Sequence, residues 1–501
     1  MAPGRRAEVS GPPIRRDTLL TRERLVLLFG GAIILRLLLL QAYGGLLAFH
    51  NGGEASNVAL AVASGRGFAD AFFPGQGPTA HLLPASPLIA AGIFAALGKT
   101  AVVNVALCIW ALAQSLVSYA LLLLLFRRLG WPSSAALGAI AALCLLPVFP
   151  KEEVIFFRYW EGALAVCLAA LSMLLIVRMD TTGSQNAALR WQGCALAALT
   201  FFISPPVGLG IYVAWTVALA FRASVRDAIR WCLTAACCVA VVLGPWVVRN
   251  HLALGRPILL RDNLGLELAL GNNPLSAQAR TAEEQAEAYD RALKSMHPYH
   301  RGMDPDAFAA AGGEVAYSAS LGAAAMSWIA AHPVAFAQLC QRHLLQFFAP
   351  GPWQLDLYGS PGFARERSLL LSLTGLLGLL ELARGLWLRR RGYAVLTAFV
   401  VTVSLPYALV QPIPRYTYLL YGILCFLAAR LIHDLASAML HAHRHGMGPP
   451  RLVSLVRSAK IVTTEGKTLP VHRASPRCRL ANCALSDHRM GQPGDSPCAA
   501  A

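Results

Sequence analysis

Charge is scarce in this sequence. Asp, Glu, Lys and Arg make up 14% of its 501 residues against 56% hydrophobic ones, and the mean hydropathy is +0.52. So few charges cannot cover the apolar surface of a soluble domain. Repeated apolar runs of roughly 20 residues are the mark of membrane helices. Acids are scarcer than bases, 26 against 43, which gives a formal net charge of +17. The arginines do not spread out as a nucleic-acid surface would. They gather at the ends of apolar runs, where cytoplasmic arginine faces anionic lipid, so no nucleic-acid partner is expected.

Other patterns are missing too. There is no P-loop, no Rossmann fingerprint and no internal repeat. No small-residue cleavage site follows the basic N-terminus (Arg5, Arg6, Arg15, Arg16, Arg22, Arg24), so residues 1–24 read as a retained cytoplasmic leader. Of the 12 cysteines, nine lie in or beside apolar segments, where cysteine behaves as a small hydrophobe. Cys478, Cys483 and Cys498 lie in the polar tail with His488, at a spacing that matches no strong zinc pattern. His441, His443 and His445 read as a cationic juxtamembrane face. No cofactor is expected, and a divalent metal is left open.

The apolar runs imply an all-α polytopic membrane protein with about ten transmembrane helices. Leu25–Leu47 runs from inside to outside. Pro84–Leu97 is too short to cross and reads as interfacial. Thr100–Phe126 returns to Arg127 and Arg128, Trp131–Phe149 goes out, and Glu161–Val177 comes back. Ser204-Pro205-Pro206 splits the next apolar stretch into a hairpin of two short helices, because proline breaks a helix. Trp231–Val248 leads out, and Leu369–Leu388, Tyr393–Val410 and Tyr416–Leu431 complete the set. On this reading 25–248 is an N-terminal membrane module with a first outer loop at 48–99. Residues 249–365 form a periplasmic loop with interfacial helices, 366–433 the C-terminal membrane helices, and 434–501 a disordered cytoplasmic tail. Both termini are cytoplasmic.

Three outer segments concentrate what the spans lack: 50–84, the turn "KEEVIFFRYWEG" (Lys151–Gly162), and the long loop opening with "PWVVRNHLALGRPILLRDNLGLELALGNNP". Acids and arginines at a membrane surface are costly unless paired or used. Glu54 follows Asn51-Gly52-Gly53, where it reads either as the third residue of a capping box with Asn51 as N-cap or as a carboxylate held rigidly for chemistry. Glu161 opens a helix from outside, complementing its dipole or facing a cavity. Asp70, His81, Arg158 and Arg249 are candidate substrate contacts with bland readings as loop or interface residues. Arg415, in "PIPRYTY", lies outside against the usual arginine bias and is the sharpest phosphate-binding candidate. Asn263, Glu267 and Asn272 either shape a pocket or cap local helices. "RTAEEQAEAYDRALKSMHPYH" reads as a solvated helix and "HPVAFAQLCQRHLLQFF" as an amphipathic one on the membrane surface.

The order Glu54, "ASGRGFAD", "GPTAHLLPASPL", "RYWEGAL", the long-loop opening and "PIPRYTYLLYG" resembles bacterial glycosyltransferases of the GT-C superfamily, in the branch with protein O-mannosyltransferases and the lipid A aminoarabinose transferase. The resemblance spans Leu25 to Leu431. It implies transfer of a hexosyl or pentosyl group from a polyprenyl-phosphate sugar to a glycan, lipid or protein acceptor at the periplasmic face. Glu54 and Glu161 would then be catalytic, with Asp70, His81, Arg158, Arg249 and Arg415 binding substrate. That family often shows an Asp or an Asp-Glu pair where this chain has the single Glu54. A polytopic transporter, or another envelope-polymer enzyme such as an O-antigen ligase or polymerase, are the rival readings.

Overall fold

The computed structural model of the protein describes residues 19–98, 100–357 and 363–445. The chain is all-α. Among the described residues the one departure from helix and loop is an isolated antiparallel bridge between Ala69 and Pro78. Among the described residues six helices are long and apolar enough to cross a membrane, or up to eight if each of two bent pairs is one span. The sequence suggested about ten: the stretches 131–158 and 187–220 are each broken at proline into shorter helices, and the helix of the expected first span ends at Gln41, short of Leu47.

The first helix, α1 (Arg22–Gln41), buries Ala32, Arg36 and Leu40, a stripe four residues apart. Beyond it, α2 (Glu54–Ala63) and α3 (Ala85–Leu97) pack on each other, and α4 (Ala101–Arg128) packs on α7 (Gly162–Thr182). Between these last two lies the first correction. The expected single span Trp131–Phe149 is instead α5 (Ser133–Leu145), followed after a 73° bend by α6 (Pro150–Val154) and a 3-10 turn at Phe156–Arg158. Pro147 and Pro150 are the cause, since proline removes a donor and forces the preceding residue out of the helical region.

The bend leaves helix-end carbonyls exposed to the core, and Arg36 meets them. Its guanidinium donates to Cys144 O at 2.6 Å and Leu143 O at 2.9 Å, and it pairs through Nε with Glu153 Oε2 at 2.8 Å. Arg36 and the Glu153 side chain are 1% exposed. This mid-helix arginine is a structural plug for a broken helix. Arg367 does the same work from the other side, donating to Val148 O at 2.7 Å and lying 3.8 Å from Glu152.

The Ser204-Pro205-Pro206 hairpin is present, as α8 (Ala187–Ile203) and α9 (Pro205–Ala220) packed together. Next, α10 (Val225–Leu254) is longer than the expected Trp231–Val248 span. It runs 30 residues, about 45 Å at 1.5 Å per residue, past Pro245 and Arg249 to a left-handed Gly255.

The long loop is a helical assembly: α11 (Leu264–Gly271), α12 (Pro274–Gln278), α13 (Ala282–Met296), α14 (Pro298–Arg301), α15 (Pro305–Ala310), α16 (Gly313–Ala331), α17 (Pro333–Phe348) and α18 (Pro352–Leu357). The expected solvated helix is α13, whose Thr281 and Glu284 form a reciprocal capping box. The sequence showed no span in this loop. Yet α16 and α17, bent by 109° at His332, together meet the length and hydropathy of one. Leu339, His343 and Phe347 form the buried stripe of α17, which packs on α20 (Arg391–Leu409).

Finally α19 (Ala364–Trp387) packs along α21 (Pro414–Arg444). The tail expected to lose structure from residue 434 instead continues α21 to Arg444, and Asp434 pairs with Arg430 at 3.0 Å and with Arg384. Cys478, Cys483, Cys498 and His488 lie outside the described residues, as does most of the basic leader.

Candidate active site

The first outer segment turns on two glycines. A Cβ on Gly52 would lie 2.3 Å from Tyr159 Cδ2, so its backbone lies flat on that ring. Gly53 has φ +63°, a region that L side chains rarely adopt, and becomes the N-cap of α2 without any side-chain cap. Glu54 is thus the first residue of the helix and not the third. Asn51 caps nothing; its Oδ1 accepts from Gly53 N at 2.9 Å and from Ser56 Oγ at 2.8 Å. The capping-box expectation fails because the glycine pair restarts the chain direction after Asn51. The Glu54 carboxylate, 22% exposed, lies 3.5 Å from His297 Nε2. Gly52→Ala is expected to push Tyr159 aside and destabilise the protein by about 1–3 kcal/mol, the usual range for overpacking. Thermal unfolding in detergent checks this, and an unchanged melting temperature would mean that the ring yields freely.

Glu54, Glu161, Arg261 and Arg415 line one hollow of about 550 Å³, counting open solvent at its mouth, with Tyr159 and Trp160 in its wall. Each arrives on a different element. Glu161 is the N-cap of α7 and pairs with Arg261 Nη2 at 2.7 Å. Arg415 sits at the start of α21, where Pro412 and Pro414 set the turn. Its guanidinium carbon lies 5.5 Å from the Trp160 ring centroid and 5.4 Å from that of Tyr416. Stacking of this kind orients a guanidinium while leaving its charge intact. Glu267 on α11 belongs to the same field. Burial pushes its carboxyl above the usual range, Arg415 and Arg261 pull it down, and Glu54 raises it again.

Behind Glu54 stand two histidines. His81 is buried in the loop before α3, and His297 ends α13 just before Pro298. Burial holds both imidazoles below the ordinary histidine pKa, His81 well below, so both are neutral at pH 7. One donor atom from each of Glu54, His81 and His297 lies within 4.8 Å of the other two. His297 Nδ1 is buried without a hydrogen-bond partner. Two neutral imidazole nitrogens and a carboxylate oxygen make a donor set that suits zinc or a similar divalent ion.

The other candidates go elsewhere. Asp70, at φ +62°, ties its own loop together: Oδ1 accepts from Gly75 N at 3.2 Å and Gly77 N at 3.1 Å, and Oδ2 pairs with Arg66 at 3.0 Å. Arg158 is fully buried and donates to Val154 O at 2.7 Å. Arg249 lies on α10, not in a loop. It donates to Thr79 O at 2.7 Å and to Phe68 O, stacking 5.2 Å from the Trp246 ring. Arg249 thus pins the first outer segment from outside the hollow. Sequence reasoning passed over Arg261 and His297. Arg261 met the criterion that picked Arg415, an arginine in an outer segment. His297 carried a weaker signal, a histidine before the proline that ends a strongly periodic helix.

No family model and no curated protein matches the chain. Among solved structures, it is similar to the oligosaccharyltransferase AglB from Archaeoglobus fulgidus in complex with an inhibitory peptide and a dolichol-phosphate. The identity is 13% and the TM-score 0.47, over 88% of this chain and 54% of that one. The apo form of the A. fulgidus enzyme gives 12% and 0.48, over 90% and 54%. The chain therefore spans about half the length of these oligosaccharyltransferases. ArnT from Cupriavidus metallidurans bound to undecaprenyl phosphate gives 15% and 0.31, over 83% and 79%.

Proposed function

We propose that this protein is an integral membrane glycosyltransferase that moves a sugar from a polyprenyl-phosphate donor to an acceptor at the periplasmic face of a bacterial inner membrane. The observation that carries the reading is the convergence of Glu54, Glu161, Arg261 and Arg415 on one hollow, from elements far apart in the chain. Transfer to a hydroxyl needs a base for the acceptor proton and cations for the departing phosphate. In this scheme the acceptor oxygen attacks the anomeric carbon while Glu54 takes its proton. The bond from that carbon to the phosphate oxygen breaks, and the electron pair leaves with the phosphate. Arg415 and Arg261 face the developing charge, with Glu161 holding Arg261 in place. Glu54, His81 and His297 would hold a divalent ion if one is bound, which would add Lewis-acid polarisation of a substrate oxygen.

The parts read from the sequence then take these roles: 25–248 and 366–433 form the membrane body, and 249–365 supplies Arg261 and His297 to the site from the periplasm.

Membrane vesicles given radiolabelled polyprenyl-phosphate sugars test the donor assignment. Arg415→Ala is expected to raise the half-saturating donor concentration about 10–100-fold, as loss of a hydrogen bond to a charged group worth about 1.5–3 kcal/mol implies. Wild-type donor dependence in that variant would remove Arg415 from the phosphate site. Proton- or sodium-coupled solute uptake without sugar transfer would favour a transporter.

A further inference from the structure

Where α16 packs on the loop that carries Arg261, two more carboxyl groups meet. Glu314, in the first turn of α16, is 8% exposed and collects three donors. Gln76 Nε2 and Thr79 Oγ1 reach its Oε2, each at 2.6 Å, and Ala80 N reaches its Oε1 at 2.7 Å. Asp262 is the opposite case. Both of its carboxyl oxygens are buried, and no donor from the protein reaches either one. Its backbone is fully engaged: its N–H donates to Ala80 O at 3.2 Å, and its carbonyl accepts from Ser318 Oγ of α16 at 2.6 Å.

Two ionised carboxylates in contact repel, and a low-dielectric setting sharpens the effect. Arg249, whose charge acts on Glu314, gives no hydrogen bond to either carboxyl group. Arg249 on α10 gives its guanidinium to the carbonyls of Thr79 and Phe68 and to Asn250 Oδ1. Arg261 points to Glu161, and His81 is neutral. Glu267 on α11 adds only another acid. A proton held between the two carboxyl groups would remove the repulsion, and the donor count says which one would carry it. Glu314 already accepts from three donors. Asp262, with none, is the one free to bring a donor of its own by carrying a proton.

We propose that Asp262 and Glu314 share one proton and act together as positioning residues, bracing the outer loop that carries His81 against the loop that carries Arg261. The connection is short on both sides. Glu314 and Asp262 both hold Ala80, whose neighbour is His81, and Asp262 is itself the neighbour of Arg261. Burial and the Glu314 carboxyl push Asp262 up to about 9, in accord with a proton held at neutral pH.

The sign of the pH effect follows. Asp262 binds its proton far more tightly in the folded protein than in the unfolded chain. Its stabilising contribution is complete below the ordinary carboxyl pKa, declines as pH rises, and is gone above about 9. Asp262→Asn supplies an N–H to Glu314 that does not titrate. The experiment is thermal unfolding of the full chain in detergent from pH 6 to 9, wild type against Asp262→Asn and Glu314→Gln. The melting temperature of wild type is expected to fall relative to both amide variants across that range, whereas Asp262→Leu, which has no donor, is destabilised at every pH. Parallel curves for wild type and the amide variants would overturn the proposal. So would failure of both amide variants to fold, since each keeps a hydrogen bond across the pair.

The activity arm alone rests on the function proposed above. Asp262→Asn is expected to keep the turnover and donor KM of wild type in the vesicle assay, and Asp262→Leu to lose turnover. If the unfolding curves behave as expected while no variant affects transfer, the brace stands and the reading of the hollow fails.

Discussion

Glu54→Gln is expected to slow sugar transfer by about 10²–10⁴-fold, the range that general-base help contributes, with donor KM nearly unchanged. The substitution keeps the length, the helix position and most of the packing of the side chain, but an amide cannot take the acceptor's proton. No cap is lost, because Glu54 caps nothing: Gly53 occupies the N-cap position and Asn51 bonds to Gly53 N and Ser56. A loss of rate therefore separates chemistry from stability, which the capping-box reading of the same residue could not do. Glu54→Asp retracts the carboxylate while keeping its basicity, and should fall between wild type and Glu54→Gln. Single-turnover transfer in vesicles, with donor in excess, reads the chemical step directly. Wild-type turnover in Glu54→Gln would remove the carboxylate from the reaction and leave Glu161 as the base to test.

The largest stability effect belongs to the plug beneath the broken helix. Arg36→Met is expected to destabilise the protein by about 3–5 kcal/mol, the cost of leaving one member of a buried ion pair without its partner. Three groups are orphaned at once: the Glu153 carboxylate and the carbonyls of Leu143 and Cys144, all in the core. Tyr119, which donates to Glu153, cannot supply the missing charge. Replacing both ions, as Arg36→Met with Glu153→Met, removes the buried charge and should recover much of the loss, because apolar side chains of similar volume often match a buried pair in stability. The two carbonyls stay unsatisfied in the double variant, so recovery should be incomplete. Urea or thermal unfolding in detergent micelles distinguishes these outcomes. A single variant that unfolds within 1 kcal/mol of wild type, on the scale of a surface pair, would mean that water reaches the bend.

Much of this architecture is legible without coordinates. Apolar runs near Thr100–Phe126, Leu369–Leu388 and Tyr393–Val410 become α4, α19 and α20, because burying an uninterrupted apolar run in lipid forces its backbone groups to satisfy one another as helix. Proline placement was equally direct at Ser204-Pro205-Pro206. It was readable but passed over at Pro147 and Pro150, where a span was drawn through a 73° bend. The extra length of α10 and the continuation of α21 to Arg444 were hidden because polar residues close to a span's end do not by themselves stop a helix.

The charged residues divide differently. That acids and arginines gather in the outer segments follows from composition and hydropathy, and so does the oddity of Arg415. Which of them meet does not. Arg158 and Arg415 look alike as outer arginines beside aromatic residues, yet one is bonded to Val154 O in the core and the other stacks on Trp160 at the hollow. Arg261 reaches Glu161 across 100 positions of sequence, and His297 reaches Glu54 across a still longer separation. Local pattern and hydropathy are properties of a few consecutive residues, so the helices and their breaks were written into the chain. Convergence of side chains on one hollow depends on how bent helices and a folded outer loop pack, and only the three-dimensional arrangement could decide it.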